Sequence, residues 1–546
     1  MSAEPNTAPI KQGFNAQLAL STESDATISL AQKWLHDCIT LDTACASERQ
    51  SAVWDKKLPA RLVNVNGEDS STQSPRVVDT DEFPSNTSYL TLSHSWGDGK
   101  FLKLLSTNWQ LLYSSIPVNE LSRTHRDALS LTRRLGYQYI WIDSLCIIQD
   151  SSDDWKSQST QMASIYGNST CNIAAENASR RGGCFIRRNA LMQRPCQLTQ
   201  SSDVDPAEGI YAHPYHTSNW SAFPNHYYSS VPLLGRAWVQ QERMLSPRIL
   251  YFGGSEIHWE CCSFQASEVW PQGSPSKDYG FDEVYPLKAA FGSLIKPFKN
   301  WDREDWNVFV YELWHNGVIR EYTAAELTFE KDRLVALAGI AGVIQKRTGM
   351  TYVAGLWKEL LPMDLMWQNM DPPVAGQKHL KPMPWKAPTW SWASVKGRKR
   401  HNLYAYNDPK NGDILYVSRV IDCVVTPLEI DKPILGEVSG GTITLTGFLA
   451  LLVRSQTAET PKVVINFDID VPFSTQLFYF CLMKTKDNET TRTNKGLILA
   501  KAEPKPEADS AKHTGNYIRV GAFVSSYKVE TGCVFDNVEE VLINIC

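Results

Sequence analysis

Residues 89–97 have the sequence Tyr-Leu-Thr-Leu-Ser-His-Ser-Trp-Gly, an alternating run that ends abruptly in a polar and aromatic turn. Alternation with a period of two residues predicts a β-strand. In α/β folds, the turn that follows such a strand carries functional side chains at the carboxyl edge of the sheet. This segment therefore predicts both a strand and one wall of a site.

A second strand-like run occupies residues 139–150, with the sequence Tyr-Ile-Trp-Ile-Asp-Ser-Leu-Cys-Ile-Ile-Gln-Asp. A helical pattern precedes it at residues 122–135, and another follows it at residues 154–166. Residues 170–175 then have the apolar character of a further strand. The order strand, helix, strand, helix, strand predicts an α/β fold, with a mainly parallel sheet and helices on both of its faces.

Outside these segments, the sequence predicts helices before about residue 403 and strands after it. Apolar residues at helical spacing predict a leading helix at residues 25–40 and a buried helix within residues 327–341. Residues 67–86, rich in Ser, Asp and Pro, predict a surface loop, and the polar residues 501–514 predict a mobile one. From about residue 403 onward, short alternating strands with Gly and Asn turns predict an antiparallel sheet or a small sandwich.

Length and charge narrow the classes of protein that fit this chain. Its 546 residues exceed what one hydrophobic core usually serves, which predicts two or three packed units. Lys and Arg total 54 against 59 Asp and Glu, and the net charge of −5 gives no strong attraction to nucleic acid or to anionic membranes. No apolar run approaches the roughly 20 residues that span a bilayer, and residues 1–7 lack the basic start of a signal peptide. We therefore expect a soluble, cytoplasmic protein without a nucleic-acid or membrane partner.

A third block, at residues 235–242, has the sequence Gly-Arg-Ala-Trp-Val-Gln-Gln-Glu. In this order, the three blocks resemble the fungal heterokaryon incompatibility (HET) domain. Its hallmarks are a Leu-Ser-His-x-Trp-Gly turn, a Trp-Ile-Asp-x-Leu-Cys-Ile-x-Gln strand and an Arg-x-Trp-x-x-Gln-Glu segment. The resemblance implies a protein of non-self recognition that triggers programmed cell death when incompatible cells fuse. HET domains also resemble Toll/interleukin-1 receptor (TIR) domains, which implies a flavodoxin-like layout.

The resemblance and the composition together predict four segments. They are a helical leader at residues 1–59, the HET domain at 60–265, a helical connector with a Trp-rich segment at 266–402, and a β-rich C-terminal domain at 403–546.

In a doubly wound sheet the loops after the strands converge, so the three blocks should face one crevice. They supply an aromatic ring on which a ligand can stack, an arginine that can form two hydrogen bonds with a carboxylate or phosphate, and acids that can orient a hydroxyl. This combination predicts a pocket for a small molecule or nucleotide. The candidate ligand-binding residues are Ser93, Ser95, Trp96, Gln149, Asp150, Arg236, Trp238 and Gln241, and the candidate catalytic residues are His94, Asp143, Cys146 and Glu242.

Each chemical role has a structural alternative. His94 is either a general base or a residue that caps a loop by hydrogen bonding. Cys146 is either a nucleophile or an inert buried thiol, and the tryptophans of the blocks are either ligand platforms or core anchors. Arg236 next to a tryptophan should pair with an acidic residue of the second or third block, in an ion pair that holds loops in one arrangement.

The resemblance to TIR domains implies cleavage of NAD⁺ by a glutamate on a helix. Gln158 occupies the position at which HET domains carry Glu or Gln, and a neutral amide cannot stabilise the charge that develops in glycosidic cleavage. Glu242 or Glu260 replaces it only if the fold brings one of them into the crevice. No cofactor is assigned, and NAD is considered only as a substrate. The chain is then either a noncatalytic module that self-associates, or an enzyme, namely an NAD⁺ glycohydrolase or a biosynthetic enzyme on a HET scaffold.

The twelve cysteines do not form Cys-x-x-Cys pairs with the spacing of a structural zinc site. Those near the blocks are expected to be reduced and buried, and no metal ligand is assigned. Residues 34–38, Trp-Leu-His-Asp-Cys, together with Cys45, are similar to a Trp-Leu-x-x-Cys-x-x-x-His-x-x-Cys leader found before HET domains. Asp42 stands where that pattern has His, which argues against a metal.

Overall fold

The computed structural model describes two compact units, Met1–Phe298 and Lys299–Cys546. Within them, the described residues are 18–42, 45, 57–66, 74–97, 101–176, 182–190, 196–197, 211–212, 233–273, 287–295, 301–371, 387–401, 414–428, 435–453, 463–486, 490–502, 515–529 and 533–546.

The first unit contains an eight-stranded sheet and a separate two-stranded pair. The strands of this unit are β1 (Arg61–Asn64), β2 (Arg76–Asp79), β3 (Leu90–His94), β4 (Tyr139–Trp141), β5 (Cys171–Ala175), β6 (Cys196–Gln197), β7 (Tyr211–Ala212), β8 (Arg248–Phe252), β9 (Ile257–Cys261) and β10 (Gln265–Ser267). The large sheet has the order β10-β9-β8-β5-β3-β4-β1-β2, and β6 pairs with β7.

The centre of the large sheet is parallel and its edges are antiparallel. Strands β4, β3, β5 and β8 run in one direction, whereas β1 and β9 run against them. The predicted α/β fold is thus confirmed, and the sheet, predicted to be mainly parallel, is mixed, with a parallel centre. Across the sheet the four parallel strands lie in the order β4, β3, β5, β8. The chain goes from β3 to β4 on one side and then returns to β5 on the other side, so the strand order reverses between β3 and β5. Ligand sites of open α/β sheets lie at such a switch point.

Helices cover this sheet, and serines begin three of them. The helices of the first unit are α1 (Asp25–Thr40), α2 (Trp109–Ser114), α3 (Arg123–Arg134), α4 (Asp143–Cys146), α5 (Ser152–Gly167), α6 (Ala237–Leu245) and α7 (Leu287–Ile295). The side chains of Ser24, Ser122 and Ser151 accept hydrogen bonds from backbone N–H groups in the first turns of α1, α3 and α5. Such N-caps satisfy donors that have no partner inside the helix, which fixes where each helix starts.

The second unit combines helices with a large sheet that is mostly antiparallel. Its helices are α8 (Arg303–Tyr311), a π-helix (Glu312–Ile319), α9 (Arg320–Ala324) and α10 (Ala338–Thr348). Its strands are β11 (Tyr352–Val353), β12 (Leu356–Trp357), β13 (Trp367–Asn369), β14 (Lys399–His401), β15 (Ile414–Tyr416), β16 (Arg419–Pro427), β17 (Val438–Leu452), β18 (Val463–Phe467), β19 (Leu477–Lys486), β20 (Thr491–Lys501), β21 (Asn516–Lys528) and β22 (Glu540–Ile545).

The long strand β17 closes this sheet on itself. The sheet order is β15-β19-β20-β21-β22-β17-β16, and β17 also pairs with β19. The pairing of β21 with β22 is parallel, and the other pairings in the sheet are antiparallel. The predicted β-rich C-terminal region is confirmed. Of the predicted mobile loop at 501–514, residues 503–514 lie outside the described part of the chain.

Two local predictions differ from the structure. The predicted loop at 67–86 contains β2, a four-residue edge strand too short to give a clear alternating pattern. The predicted helix within 327–341 begins as 3₁₀ turns and becomes α-helical only at Ala338. There the N–H of Leu337 bonds to the carbonyl of Leu334, while the carbonyl of Arg333 accepts the Tyr322 hydroxyl.

Among the described residues, none of the helices has both the length and the apolar character needed to cross a membrane.

Candidate functional site

A chain of buried polar side chains joins β3, β5 and α6 at the switch point of the sheet. The hydroxyl of Thr91 donates to Asn172 Oδ1 at 3.1 Å, and Asn172 Nδ2 donates to Ser93 Oγ at 2.9 Å. Ser93 Oγ in turn donates to Glu242 Oε2. All four side chains are buried. We call this set, together with Tyr166, the Glu242 network.

Tyr166 belongs to the network because its hydroxyl lies beside Ser93 and Glu242, whose side chains affect its pKa. Its ring packs edge-on against Trp141 of β4, with the ring centroids 5.6 Å apart. Burial raises the pKa of Tyr166 well above its ordinary value, so its hydroxyl stays protonated and available as a donor.

A second set of contacts follows directly after β3 and β4. Trp96 Nε1 donates to Asp143 Oδ2 at 2.9 Å, and His94 Nδ1 lies 3.9 Å from Asp143 Oδ1. The Nε2 atoms of His94 and His125 are 3.2 Å apart, and Ser144 Oγ lies 3.3 Å from His125 Nε2. The sequence therefore brings the first two blocks together at the ends of neighbouring parallel strands.

Arg236 connects the third block to the first through the backbone. Its Nη1 donates to the carbonyl oxygen of His94. Among the described residues, no carboxylate lies within ion-pair distance of Arg236, so the predicted pair with an acidic residue is wrong. Arg236 is the N-cap residue of α6. From this position its guanidinium contacts the carbonyl oxygen of His94, the last residue of β3. Burial raises the pKa of Asp143 and Glu242, and the charge of Arg236 partly opposes that rise.

Burial determines the protonation states at the centre of the site. It raises the pKa of Glu242 from 4.5 to about 7, against the opposing effects of Arg236 and the Ser93 hydrogen bond. It also raises the pKa of Asp143, again against Arg236. Burial lowers the pKa of His94 and of His125 to about 3, so both imidazoles are neutral at pH 7. A base this weak is poorly matched to proton abstraction near neutral pH.

Cys146 is buried at the end of the short helix α4. Burial raises the pKa of its thiol to about 12, so it carries no thiolate at neutral pH. Its carbonyl oxygen accepts a hydrogen bond from Arg61 at 2.9 Å. This environment favours the inert alternative over the nucleophile.

The remaining candidates lie around these two sets. Gln149 Nε2 donates to the carbonyls of Asp143 and Ile147, each at 3.0 Å, and thereby fixes the loop after α4. Asp150 is exposed and accepts from the Ser106 hydroxyl at 2.6 Å. Ser95 and Trp238 are half-buried, and Gln241 is buried within α6.

Glu242 and Glu260, the two glutamates that could replace a catalytic glutamate at position 158, lie in different surroundings. Gln158 is buried on α5, and its Oε1 has no hydrogen-bond partner among the described residues. Glu260 lies on β9 and pairs with Arg243, with Nη2 2.8 Å from Oε1. Glu242 is therefore the glutamate that the fold places beside Ser93.

Sequence reasoning missed Asn172, Tyr166, His125 and Phe101. Asn172 had a usable signal, because it is the one polar residue in the strand Cys-Asn-Ile-Ala-Ala of β5. Phe101 packs against the rings of His94, Trp96 and His125 at centroid distances of 6.3, 5.8 and 5.1 Å. His125 and Tyr166 lie on helices among other buried residues, where nothing in the sequence sets them apart.

Glu242 should make the stability of the first unit depend on pH. The folded state holds the Glu242 proton more tightly than the unfolded state, so its contribution to stability is complete below pH 4.5 and is lost as the pH rises through 7. This rise in the pKa of Glu242 corresponds to about 3 kcal/mol in the free energy of unfolding. We expect Glu242→Gln to remove this fall in the free energy of unfolding, measured by urea denaturation between pH 5 and pH 8.

The buried histidines act with the opposite sign over the same range, so the informative quantity is the difference between variant and wild type. Asp150→Asn is the matched control, because this carboxylate is exposed and titrates below the range. A Glu242→Gln protein that keeps the wild-type pH dependence would contradict the assignment.

The fold and the site define an α/β domain whose parallel strands meet a buried polar network at the switch point. Residues 89–242 match the family model described as heterokaryon incompatibility protein (HET). The matched range begins at the first residue of the first block and ends at Glu242. No curated protein and no solved structure gives a significant match to the chain.

Proposed function

We propose that this chain is a fungal heterokaryon incompatibility protein, which recognises non-self and triggers programmed cell death after cell fusion. The observation that carries the proposal is the HET match, which spans all three sequence blocks. The order of the four parallel strands supports a flavodoxin-like, TIR-like relationship, because that layout also has its switch point between its first and third strands.

Within this function, we propose that the domain acts as a signalling module rather than as an enzyme. Three features support the choice: neutral, weakly basic histidines, a protonated Cys146 thiol, and a buried amide at Gln158. The candidate site residues then hold the ends of β3, β4 and α6 in one arrangement. A small-molecule or nucleotide ligand, or self-association in the cytoplasm, would change that arrangement.

The decisive experiment is induced expression of the full chain in a filamentous fungus. We expect viability to fall at least tenfold, and we expect Trp96→Ala to abolish the effect, because it removes the hydrogen bond to Asp143 and the ring that packs on Phe101. Trp155→Ala is the matched control, because Trp155 is an exposed tryptophan outside the site. Circular dichroism checks that both variants are folded.

Full viability with well-folded wild-type protein would refute the proposal. Equal killing by Trp96→Ala and Trp155→Ala would show that cell death does not depend on the candidate site. The enzymatic alternative makes a different prediction. An NAD⁺ glycohydrolase would release nicotinamide from NAD⁺ in a reaction that Glu242→Gln abolishes. Absence of nicotinamide release from a wild-type protein that still kills would favour the signalling module.

A further inference from the structure

Four potential metal ligands form one group outside the HET match. The sulfur atoms of Cys38, Cys45 and Cys261 and a carboxylate oxygen of Asp42 all lie within 4.8 Å of one another. The three cysteines are buried, and Asp42 is half-buried. We call this group the Cys38 cluster.

The cluster joins two parts of the chain that are distant in sequence. Cys38 lies in the last turn of α1, which ends at Thr40, and Asp42 and Cys45 follow it four and seven residues later in the chain. Asp42 Oδ1 accepts a hydrogen bond from the Cys45 N–H at 3.2 Å, which holds the carboxylate beside that thiol. Cys261 is the last residue of β9.

The surroundings already hold the two parts together. Trp34 of α1 packs against Trp259 of β9 at a centroid distance of 6.4 Å, and Trp34 Nε1 donates to the carbonyl of Pro271 at 2.8 Å. Cys45 Sγ lies 3.5 Å from Ser263 Oγ, in the turn after β9. The ligand atoms therefore stand on supported elements, as a preorganised metal site requires.

A buried arginine, Arg248, lies against the Cys38 cluster. Its side chain is buried, its Nε lies 3.1 Å from Cys38 Sγ, and its Nη1 donates to the Thr170 carbonyl at 3.3 Å. Its Nη2 has no hydrogen-bond partner, and the part of the chain that the structure describes gives it no carboxylate partner.

A buried guanidinium needs a negative charge close by, because an unpaired buried charge is strongly destabilising. Neutral thiols do not supply that charge, whereas thiolates do. Metal binding deprotonates a coordinating thiol outright. Arg248 thus fits a cluster in which the cysteines are metal-bound thiolates.

We propose that Cys38, Asp42, Cys45 and Cys261 bind one Zn²⁺ ion as a closed, tetrahedral, structural site. Thiolate ligands with a single carboxylate suit zinc, and four protein ligands leave no open position for catalysis. Zinc–sulfur bonds of about 2.3 Å place tetrahedral sulfur ligands about 3.8 Å apart, within the spread of the cluster. Binding releases three thiol protons to solvent and leaves a net charge of −2, which Arg248 partly offsets.

The proposed ion would link α1, through Cys38, to the β9–β10 hairpin, through Cys261. Since Cys38 and Cys261 belong to separate elements, loss of the ion should loosen the helix from the sheet. Histidine is a good zinc ligand as well, so Asp42→His should keep the metal, whereas Asp42→Ala should weaken its retention.

The test measures zinc in the full chain, purified under reducing conditions without chelator, by inductively coupled plasma mass spectrometry. We expect about one zinc per chain in wild type and in Asp42→His, and at least a tenfold loss in Cys38→Ser and Cys261→Ser. Cys184→Ser is the matched control, since Cys184 is equally buried but lies outside the cluster, and it should keep its zinc.

A second measurement on the wild type covers the case in which the cysteine variants fail to fold. Exchange of the ion for Co²⁺ should give the absorption of tetrahedral cobalt with thiolate ligands, and Asp42→His should alter that spectrum at unchanged metal content. Wild-type protein with less than a tenth of an equivalent of zinc would overturn the proposal. A disulfide between two cluster cysteines, or full zinc retention in Cys261→Ser, would overturn it as well.

Discussion

Glu260→Ala is expected to lower the free energy of unfolding of the first unit by about 3–5 kcal/mol, the usual cost of removing one partner from a buried ion pair. Glu260 accepts hydrogen bonds from Arg243 Nε and Nη2 at 2.9 and 2.8 Å, from the Tyr251 hydroxyl at 2.7 Å and from Gln265 Nε2 at 3.0 Å. Without the carboxylate, the buried Arg243 side chain loses this ion pair and both of these hydrogen bonds.

The protonation state of Glu260 supports this expectation. Burial alone would raise the pKa of its carboxyl group, but the charge and hydrogen bonds of Arg243 bring that pKa below its ordinary value. The pair is therefore ionised at neutral pH. The same geometry explains why Glu260 is a structural residue, although sequence reasoning had considered it as a catalytic acid.

Urea denaturation at pH 7 measures the effect. Asp37→Ala provides the control, because Asp37 pairs with Lys33 at 2.6 Å while the two side chains are 34% and 68% exposed. Exposed pairs contribute about 0–1 kcal/mol. Replacing Arg243 and Glu260 together by leucine should cost less than Glu260→Ala alone, since no charge is then left unpaired. A loss below about 1 kcal/mol in Glu260→Ala would show that the pair is hydrated.

In the second unit, Arg519→Ala is expected to cost about 3–5 kcal/mol for the same reason. Arg519 is buried on β21, and its Nε donates to Asp468 Oδ2 at 2.8 Å. Its two terminal nitrogens each donate at 2.5 Å, to the carbonyls of Leu365 and Trp367. The guanidinium also lies 3.4 Å from the ring centroid of Trp367.

Arg519→Lys tests the planarity of this arrangement. Lysine keeps the charge but cannot donate in three directions while stacking on an aromatic ring, so we expect it to recover only part of the loss. Arg419→Ala is the control, because Arg419 is 78% exposed and lies 3.6 Å from Glu540. Thermal denaturation followed by near-ultraviolet circular dichroism reports on the packing of Trp367. Equal melting temperatures for Arg519→Ala and Arg419→Ala would contradict the assignment.

Much of the first unit could be predicted, because local patterns determine its elements. The spacing of apolar residues predicted a helix at 25–40, and α1 occupies Asp25–Thr40. The approach of Trp96 to Asp143 followed from a general rule, since the carboxyl ends of the parallel strands β3 and β4 meet at one edge of the sheet.

What could not be predicted depends on contacts between elements that no local pattern records. Arg236 contacts a main-chain carbonyl, and main-chain acceptors exist at every position of a sequence. Cys261 approaches Cys38 from more than 200 residues away, so the spacing rules for metal ligands could not include it. His125 completes the contact with His94 from a helix whose amphipathic pattern is ordinary.

The contact between Arg236 and the carbonyl oxygen of His94 also bears on how this domain can evolve. Every amino acid supplies that oxygen, so a substitution at position 94 leaves the link between α6 and β3 in place. Variation at this position is then limited by the packing of the buried His94 side chain against His125 and Phe101, and not by the link itself.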